Sequence, residues 1–290
     1  MRRKLTLCLA AALTLSLLAG CGDPDAALTE FPASDPLAAD TDPVPATPGP
    51  TPESTPEATL EPTPEVTLWP VYEFGVPVEG GDPVEDDAFF DNAVFLGDSR
   101  TEGLQLYSGL KHGAFYWARG MTVFRADDEE YKVVSIGDEK LTMMDALRQQ
   151  SFDAVYIMIG VNELGYPAAS YEAGLSKLVD KVIEAQPEAV VYLQILPPLN
   201  DAMCRAKGLA SYINSENLRK FNEVIQRVAA EKKVALLNVA EAYADENGQL
   251  PEKLSNDGCH FAYGAYSLWA NYLRSHTIDR ERYFYSREQS

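Results

Sequence analysis

Histidine is scarce in this sequence: only His112, His260 and His276 stand in 290 residues. No H-x-x-x-H or C-x-x-C spacing occurs, so the usual donor sets of zinc sites are missing and no metal or other cofactor is called for. Bases are also short, 24 against 44 acids, for a net charge of −20. That excludes a basic footprint able to neutralise phosphates, and with it nucleic acid as a partner. After residue 20 no apolar run is long enough to span a bilayer, which excludes a polytopic membrane protein. The shortage of bases is local. Residues 22–90 hold 16 acids, 14 of the 19 prolines and no Lys or Arg, whereas 91–290 hold 28 acids and 21 bases. A substantial core is therefore expected only in the last 200 residues or so.

Arg2, Arg3 and Lys4 precede an apolar run over 5–18, the length of a signal-peptide core. The run ends in Leu18-Ala19-Gly20-Cys21, which resembles the bacterial lipobox. That resemblance implies acylation of the Cys21 thiol, of the palmitate kind, and a protein anchored by lipid to the outer face of the cell membrane. A plain secretory signal or an uncleaved anchor helix is the alternative. From 22 to 87 the chain runs in a Pro/Thr/Glu pattern such as TPGPTPESTPEATLEPTPEV, too poor in apolar side chains to offset the entropy of ordering it. It reads as a disordered spacer with polyproline II character, with an upper reach on the order of 200 Å at roughly 3.1 Å per residue. The expected organisation is a signal over 1–21, a linker over 22–87 and a folded domain over 88–290.

In that domain strands and helices alternate. Residues 93–97 (AVFLG), 153–160 (DAVYIMIG), 189–196 (AVVYLQIL) and 234–239 are short and almost wholly apolar, as parallel strands covered on both faces are. Residues 114–118 form a weaker strand candidate. Helical spacing occupies 101–107, 141–150, 170–186, 211–232 and 262–275. The alternation predicts a three-layer α/β/α sandwich around a parallel sheet of about five strands. Ligands of such sheets sit beyond the carboxyl ends of the strands.

Reactive groups stand at those ends. Ser99 follows Gly97-Asp98 at a strand-to-helix turn, where its hydroxyl can face a cleft, although serine also simply caps helices. Asp257 precedes His260 by three residues, a spacing that lets a carboxylate reach Nδ1 and leave Nε2 free to take a proton; surface ion pairs look alike. Asn162 ends the most apolar strand, either as a donor to an oxyanion or as an Asx-turn. Singly, none of these is decisive.

Together, Gly97-Asp98-Ser99-Arg100, Gly120, Gly160-Val161-Asn162-Glu163 and Asp257-Gly258-Cys259-His260 resemble, in order, the sequence blocks of the SGNH subgroup of the GDSL esterase/lipase superfamily. The resemblance covers about 90–277 and implies a flavodoxin-like fold. It makes Ser99 the nucleophile, His260 the base and Asp257 its orienter. The backbone N–H groups of Ser99 and Gly120 and the Asn162 amide become the oxyanion hole. Arg100 stands where the family usually has Leu, and is expected to face solvent rather than the cleft rim. Cys204 and Cys259 fall on segments bordering the site, either as a disulfide clamp or as two free thiols. The function expected is a serine esterase outside the cytoplasm, acting on short acyl, foremost O-acetyl, esters of carbohydrate or cell-wall glycan. A glycan O-acyltransferase with the same triad, and a non-catalytic surface protein binding glycan or a partner, remain open.

Overall fold

The structure, a computed structural model, describes residues 69–290; the signal, Cys21 and most of the linker lie outside the described residues. In chain order the elements are β1 (Ala93–Gly97), α1 (Ser99–Tyr107), β2 (Ala114–Trp117), β3 (Val134–Ile136), β4 (Glu139–Leu141), α2 (Met143–Arg148), β5 (Ala154–Met158), α3 (Ala168–Ala185), β6 (Val190–Gln194), α4 (Asp201–Ala206), α5 (Ser215–Lys232), β7 (Ala235–Leu237), α6 (Tyr266–Ser275) and α7 (Arg280–Gln289). Five strands form one parallel sheet in the order β2-β1-β5-β6-β7, and β3 and β4 pair as a separate antiparallel ribbon. From β1 the chain steps one way to β2 and then the other way through β5, β6 and β7. Right-handed crossovers therefore place helices on opposite faces. α1 packs with α6 on one side, and α2, α3 and α5 pack together on the other. This is the expected three-layer sandwich, and the reversal between β1 and β5 is its topological switch point.

β1, β6 and β7 are buried at every position, which is why their sequences are apolar without alternation. Four aromatic rings at facing register positions run across the sheet. Phe95 stacks on Phe115 at 4.7 Å and on Tyr156 at 4.9 Å, and Tyr156 stacks on Tyr192 at 4.6 Å. Such pairs add about 0.5–1.5 kcal/mol each beyond their area, and here they lock the strands whose ends carry the reactive residues.

Besides the β3–β4 ribbon, which no expected strand covers, the fold differs from the sequence expectation in three places. The helix expected from 211 begins only at Ser215, where the Asn214 side chain accepts from the Asn217 N–H and caps it. α4 and α7 are additional. α4 is a six-residue turn, and α7 turns few side chains inward, burying Tyr283 and Ser286, so neither carries a long apolar stripe.

The third difference concerns the linker boundary at 87. Residues 69–87 pack on the domain. Val78 N–H donates to Leu236 O at 2.8 Å beside a parallel bridge from Pro77 to Leu236, and the Tyr72 hydroxyl accepts from Leu236 N–H at 3.1 Å. Tyr72 N–H donates to Ser286 Oγ at 2.8 Å, and Asp87 makes a two-pronged ion pair with Arg274 at 2.7 and 2.9 Å. β7 would otherwise be an open edge with unpaired backbone groups, and this segment covers it. Composition hides the segment among acids and prolines. The alternation Tyr72, Phe74, Val76, Val78 is its local signal.

Candidate active site

β1 ends at Gly97, where no side chain fits: a Cβ there would lie 1.8 Å from Thr101 Oγ1 and 2.9 Å from Met158 O. The bare backbone lets α1 start hard against β5. Asp98 caps the helix, its Oδ1 accepting from Arg100 N–H at 2.8 Å, and Ser99 is the first helical residue. Ser99 is half-buried, with its hydroxyl at the carboxyl end of β1, and α1 begins with backbone N–H groups that have no partner within the helix.

Ser99 Oγ lies 3.0 Å from His260 Nε2, and His260 Nδ1 lies 2.8 Å from Asp257 Oδ2. The other carboxylate oxygen of Asp257 accepts from the N–H groups of Cys259 at 2.8 Å and His260 at 2.7 Å. Burial works against ionising Asp257, but the hydrogen bonds from the His260 ring and from the His260 and Cys259 backbones outweigh it and hold the carboxyl below the usual range. An ionised Asp257 can only accept, so Nδ1 carries the proton, and Nε2 is left as the acceptor for the Ser99 hydroxyl.

The His260 loop is held on three sides. Ser255 Oγ donates to His260 O at 2.6 Å and accepts from Gly258 N–H at 2.8 Å. Asn200 N–H donates to Gly258 O at 2.8 Å. Gly258 has φ +89°, and a Cβ there would stand 2.6 Å from Asn200 O and 2.8 Å from Cys204 N, so only glycine fits. The third hold is Arg100, which is fully buried. Its Nη2 donates to Cys259 O at 3.0 Å, with Nε at 3.3 Å, and the guanidinium lies 5.6 Å from the centre of the Phe261 ring. The expectation of a solvent-facing Arg100 is thus corrected. The Cys259–Phe261 segment receives this side chain, which ties the serine's helix to the histidine's loop. Its Nη1 has no partner among the described residues.

Cys204 and Cys259 are two free, buried thiols, without the disulfide clamp. Burial pushes the Cys204 thiol up to about 11, and burial raises Cys259 too, against the pull of Arg100. Both are poor nucleophiles in this setting.

Asn162 follows β5 on the opposite flank of the switch point. Its Nδ2 donates to Met121 O at 3.0 Å and approaches Asp98 Oδ2 at 3.4 Å, joining the loop after β2 to the cap of α1. Gly120 stands in that loop with φ +73°, exposed, inside a turn closed by Met121 N–H to Ala118 O at 3.0 Å. The structure thus brings Ser99, His260 and Asp257 into one hydrogen-bonded relay. It brings Asn162 against Asp98, and sets Gly120 one residue before the carbonyl that Asn162 holds.

Glu163 closes the Gly160–Glu163 block, and the sequence gives it no role. It is fully buried, its Oε1 accepts from Val123 N–H at 2.7 Å, and its Oε2 has no partner among the described residues. Burial pushes its carboxyl up to about 8, opposed by the Val123 N–H and reinforced by nearby Asp98. Burial also raises Asp98, against Arg100. The signal in the sequence is an acid between Asn162 and Leu164 directly after the most apolar strand.

A cleft of about 370 Å³ opens at Ser99 and His260, walled by Glu102, Gly103, Tyr107, Arg119, Asn256, Phe261, Tyr263 and Tyr266. A larger cavity, about 810 Å³, lies at the amino ends of β1, β5 and β6 between Trp69, Asn92, Asp153 and Arg282. It lies at the other ends of these strands from Ser99 and His260, whose relay opens into the smaller one.

Residues 95–267 match the profile of the GDSL-like lipase/acylhydrolase family. No curated protein matches the chain. Among solved structures, one from Streptococcus pneumonia, described provisionally as a platelet activating factor, shares 22% identity, covering 63% of this chain and 82% of its own, at a TM-score of 0.51. A GDSL-like lipase from Bacteroides thetaiotaomicron shares 16% identity over 65% of this chain and 87% of its own, at a TM-score of 0.46. A carbohydrate acetylesterase from Sinorhizobium meliloti shares 16% over 63% and 96%, at 0.47. The likeness of fold rests on the first of these.

Proposed function

The chain belongs to the GDSL-like lipase/acylhydrolase family and is an ester hydrolase, and from that premise we propose that it is a serine esterase working through Ser99, His260 and Asp257. The observation that carries this is the relay of 3.0 and 2.8 Å at the sheet's switch point. Ser99 Oγ attacks the ester carbonyl carbon as its proton passes to His260 Nε2. The imidazolium that forms is stabilised by Asp257. As the tetrahedral intermediate collapses, His260 protonates the departing alcohol and leaves the acyl group on Ser99. Water, deprotonated by the same Nε2, then releases the acid.

Negative charge on the carbonyl oxygen is met by the N–H groups of Ser99 and Gly120 and by the Asn162 amide. That amide turns from Met121 O to the oxyanion, and loss of one such donor typically costs about 10²–10³ in rate. The acid half of the ester, in this proposal, is a short acyl group, acetyl foremost. A lipid anchor at Cys21 and a spacer through the cell wall place the enzyme, in this proposal, outside the cytoplasm, where esters of carbohydrate and wall glycan are its substrates.

The test is labelling by a fluorophosphonate probe, which needs an activated serine. Wild-type protein should label and Ser99→Ala should not. Folded wild-type protein that stays unlabelled while hydrolysing no acetate ester would sink the proposal.

A further inference from the structure

The walls of the cleft at Ser99 carry groups that acyl transfer does not itself require. Tyr107, at the end of α1, and Tyr263, three residues past His260, lie with ring centroids 4.5 Å apart, and they are 43% and 68% exposed. Aromatic rings left in water beside a nucleophile mark a place where a ligand's apolar face is received. The same cleft is lined by Glu102 and Arg119, which form a two-pronged ion pair at 2.6 and 2.7 Å. Glu102 is mostly covered, with its side chain 12% exposed, while that of Arg119 is 78% exposed. Both Nε and Nη2 of Arg119 go to Glu102, and its Nη1 meets no acceptor among the described residues. That nitrogen is a free donor on a side chain whose orientation Glu102 has already set, so binding through it costs little ordering entropy.

The reaction's geometry says which half of the ester lies here. His260 Nε2 must deliver a proton to the departing alcohol oxygen, so the alcohol half lies on the His260 side of the cleft, which Asn256 and Tyr263 also line. Gly120 and Asn162, which face the carbonyl oxygen in the proposed mechanism, are not among the lining residues. The alcohol half therefore meets a pair of tyrosine rings inclined at 39° and a held guanidinium. A pyranose matches both, with C–H faces for the rings and hydroxyl oxygens along its edge for Arg119. The volume, about 370 Å³, falls within the usual range for small-molecule sites. We infer that Tyr107, Tyr263 and the Glu102–Arg119 pair form a subsite for the sugar ring that bears the ester. The inference deepens the esterase proposal and rests on it.

Two acetates that differ only in their alcohol test it: glucose 6-acetate and ethyl acetate. The readout is the ratio of their kcat/KM values, which cancels any general damage to the site. Tyr263→Ala should lower that ratio about five- to tenfold, mainly through KM for the glucose ester, the factor carried by one exposed aromatic contact. Tyr263→Phe keeps the ring and should keep the ratio, and Arg119→Ala should lower it. An unchanged ratio in Tyr263→Ala, or loss of the ratio in Tyr263→Phe to the same extent as in Tyr263→Ala, overturns the subsite. So does a wild type that labels at Ser99 and turns over ethyl acetate without favouring the glucose ester. Wild-type protein that neither labels nor hydrolyses either acetate overturns the esterase proposal instead, so the two failures are told apart.

Discussion

Glu163 makes the protein's stability depend on pH in a way that one substitution should expose. Its carboxyl is pushed from 4.5 to about 8 by burial, with Oε1 on Val123 N–H and Oε2 unpartnered. Between those values the folded chain keeps a proton that the unfolded chain has released, so folding takes up a proton and stability falls as pH rises. The slope is about 1.4 kcal/mol per pH unit while both conditions hold. From pH 5 to pH 7 wild-type protein should lose roughly 3 kcal/mol relative to Glu163→Gln, which has nothing to ionise. Asp98, also buried, is present in both proteins and adds to the shift, so the difference reports Glu163 together with its coupling to Asp98, while Tyr171 stays neutral across this range. The assay is urea unfolding of both proteins at pH 5, 6, 7 and 8. The stability advantage of the Gln variant should grow with pH, whatever its constant offset. Curves that run parallel across that window would refute the buried, protonated carboxyl.

Three further outcomes follow from the geometry. Asp257→Asn removes the acceptor that holds the proton on His260 Nδ1, so kcat should drop by about 10⁴ with the fold intact, measured by ester turnover beside circular dichroism. Gly103→Ala tests the contact of α1 with α6, because a Cβ there would stand 2.0 Å from the Tyr266 ring. Helix propensity alone predicts stabilisation, but overpacking of about 1–3 kcal/mol should win and lower Tm; a raised Tm would show that Tyr266 moves aside freely. A chain beginning at residue 88 should be less stable and more prone to associate than one beginning at residue 69, since it uncovers the edge of β7. Equal unfolding midpoints and equal sedimentation would contradict that role for residues 69–87.

The strands were legible because parallel strands at the centre of a sandwich are buried on both faces, and 93–97, 154–158 and 190–194 show this as unbroken apolar runs. α7 was not, because its packing depends on Tyr283 and little else. Residues 69–87 were masked by their neighbours: a window counting acids and prolines averages four alternating apolar residues into a spacer. Ser99, Asp257 and His260 stood out as motifs. The burial of Arg100 is not legible because a charged residue is almost always exposed, and only the distant Cys259–Phe261 segment receives it. Glu163 is legible as the end of the Gly160–Glu163 block, but its burial is not.

Sequence alone determined the alternation of strands and helices, the family blocks and the separation of a base-free segment from a folded domain, since these are local patterns of side-chain chemistry. It also bounded the chemistry, because three histidines and no clustered cysteines leave few ways to build a site. Tertiary structure alone decided that β1 and β5 lie side by side with Ser99 and Asn162 at their ends, 63 residues apart in the chain. It brought His260, 161 positions from Ser99, to within 3.0 Å, and it sealed Arg100 and Glu163 away from water. Burial and proximity between distant segments are properties of packing, and no local pattern encodes them.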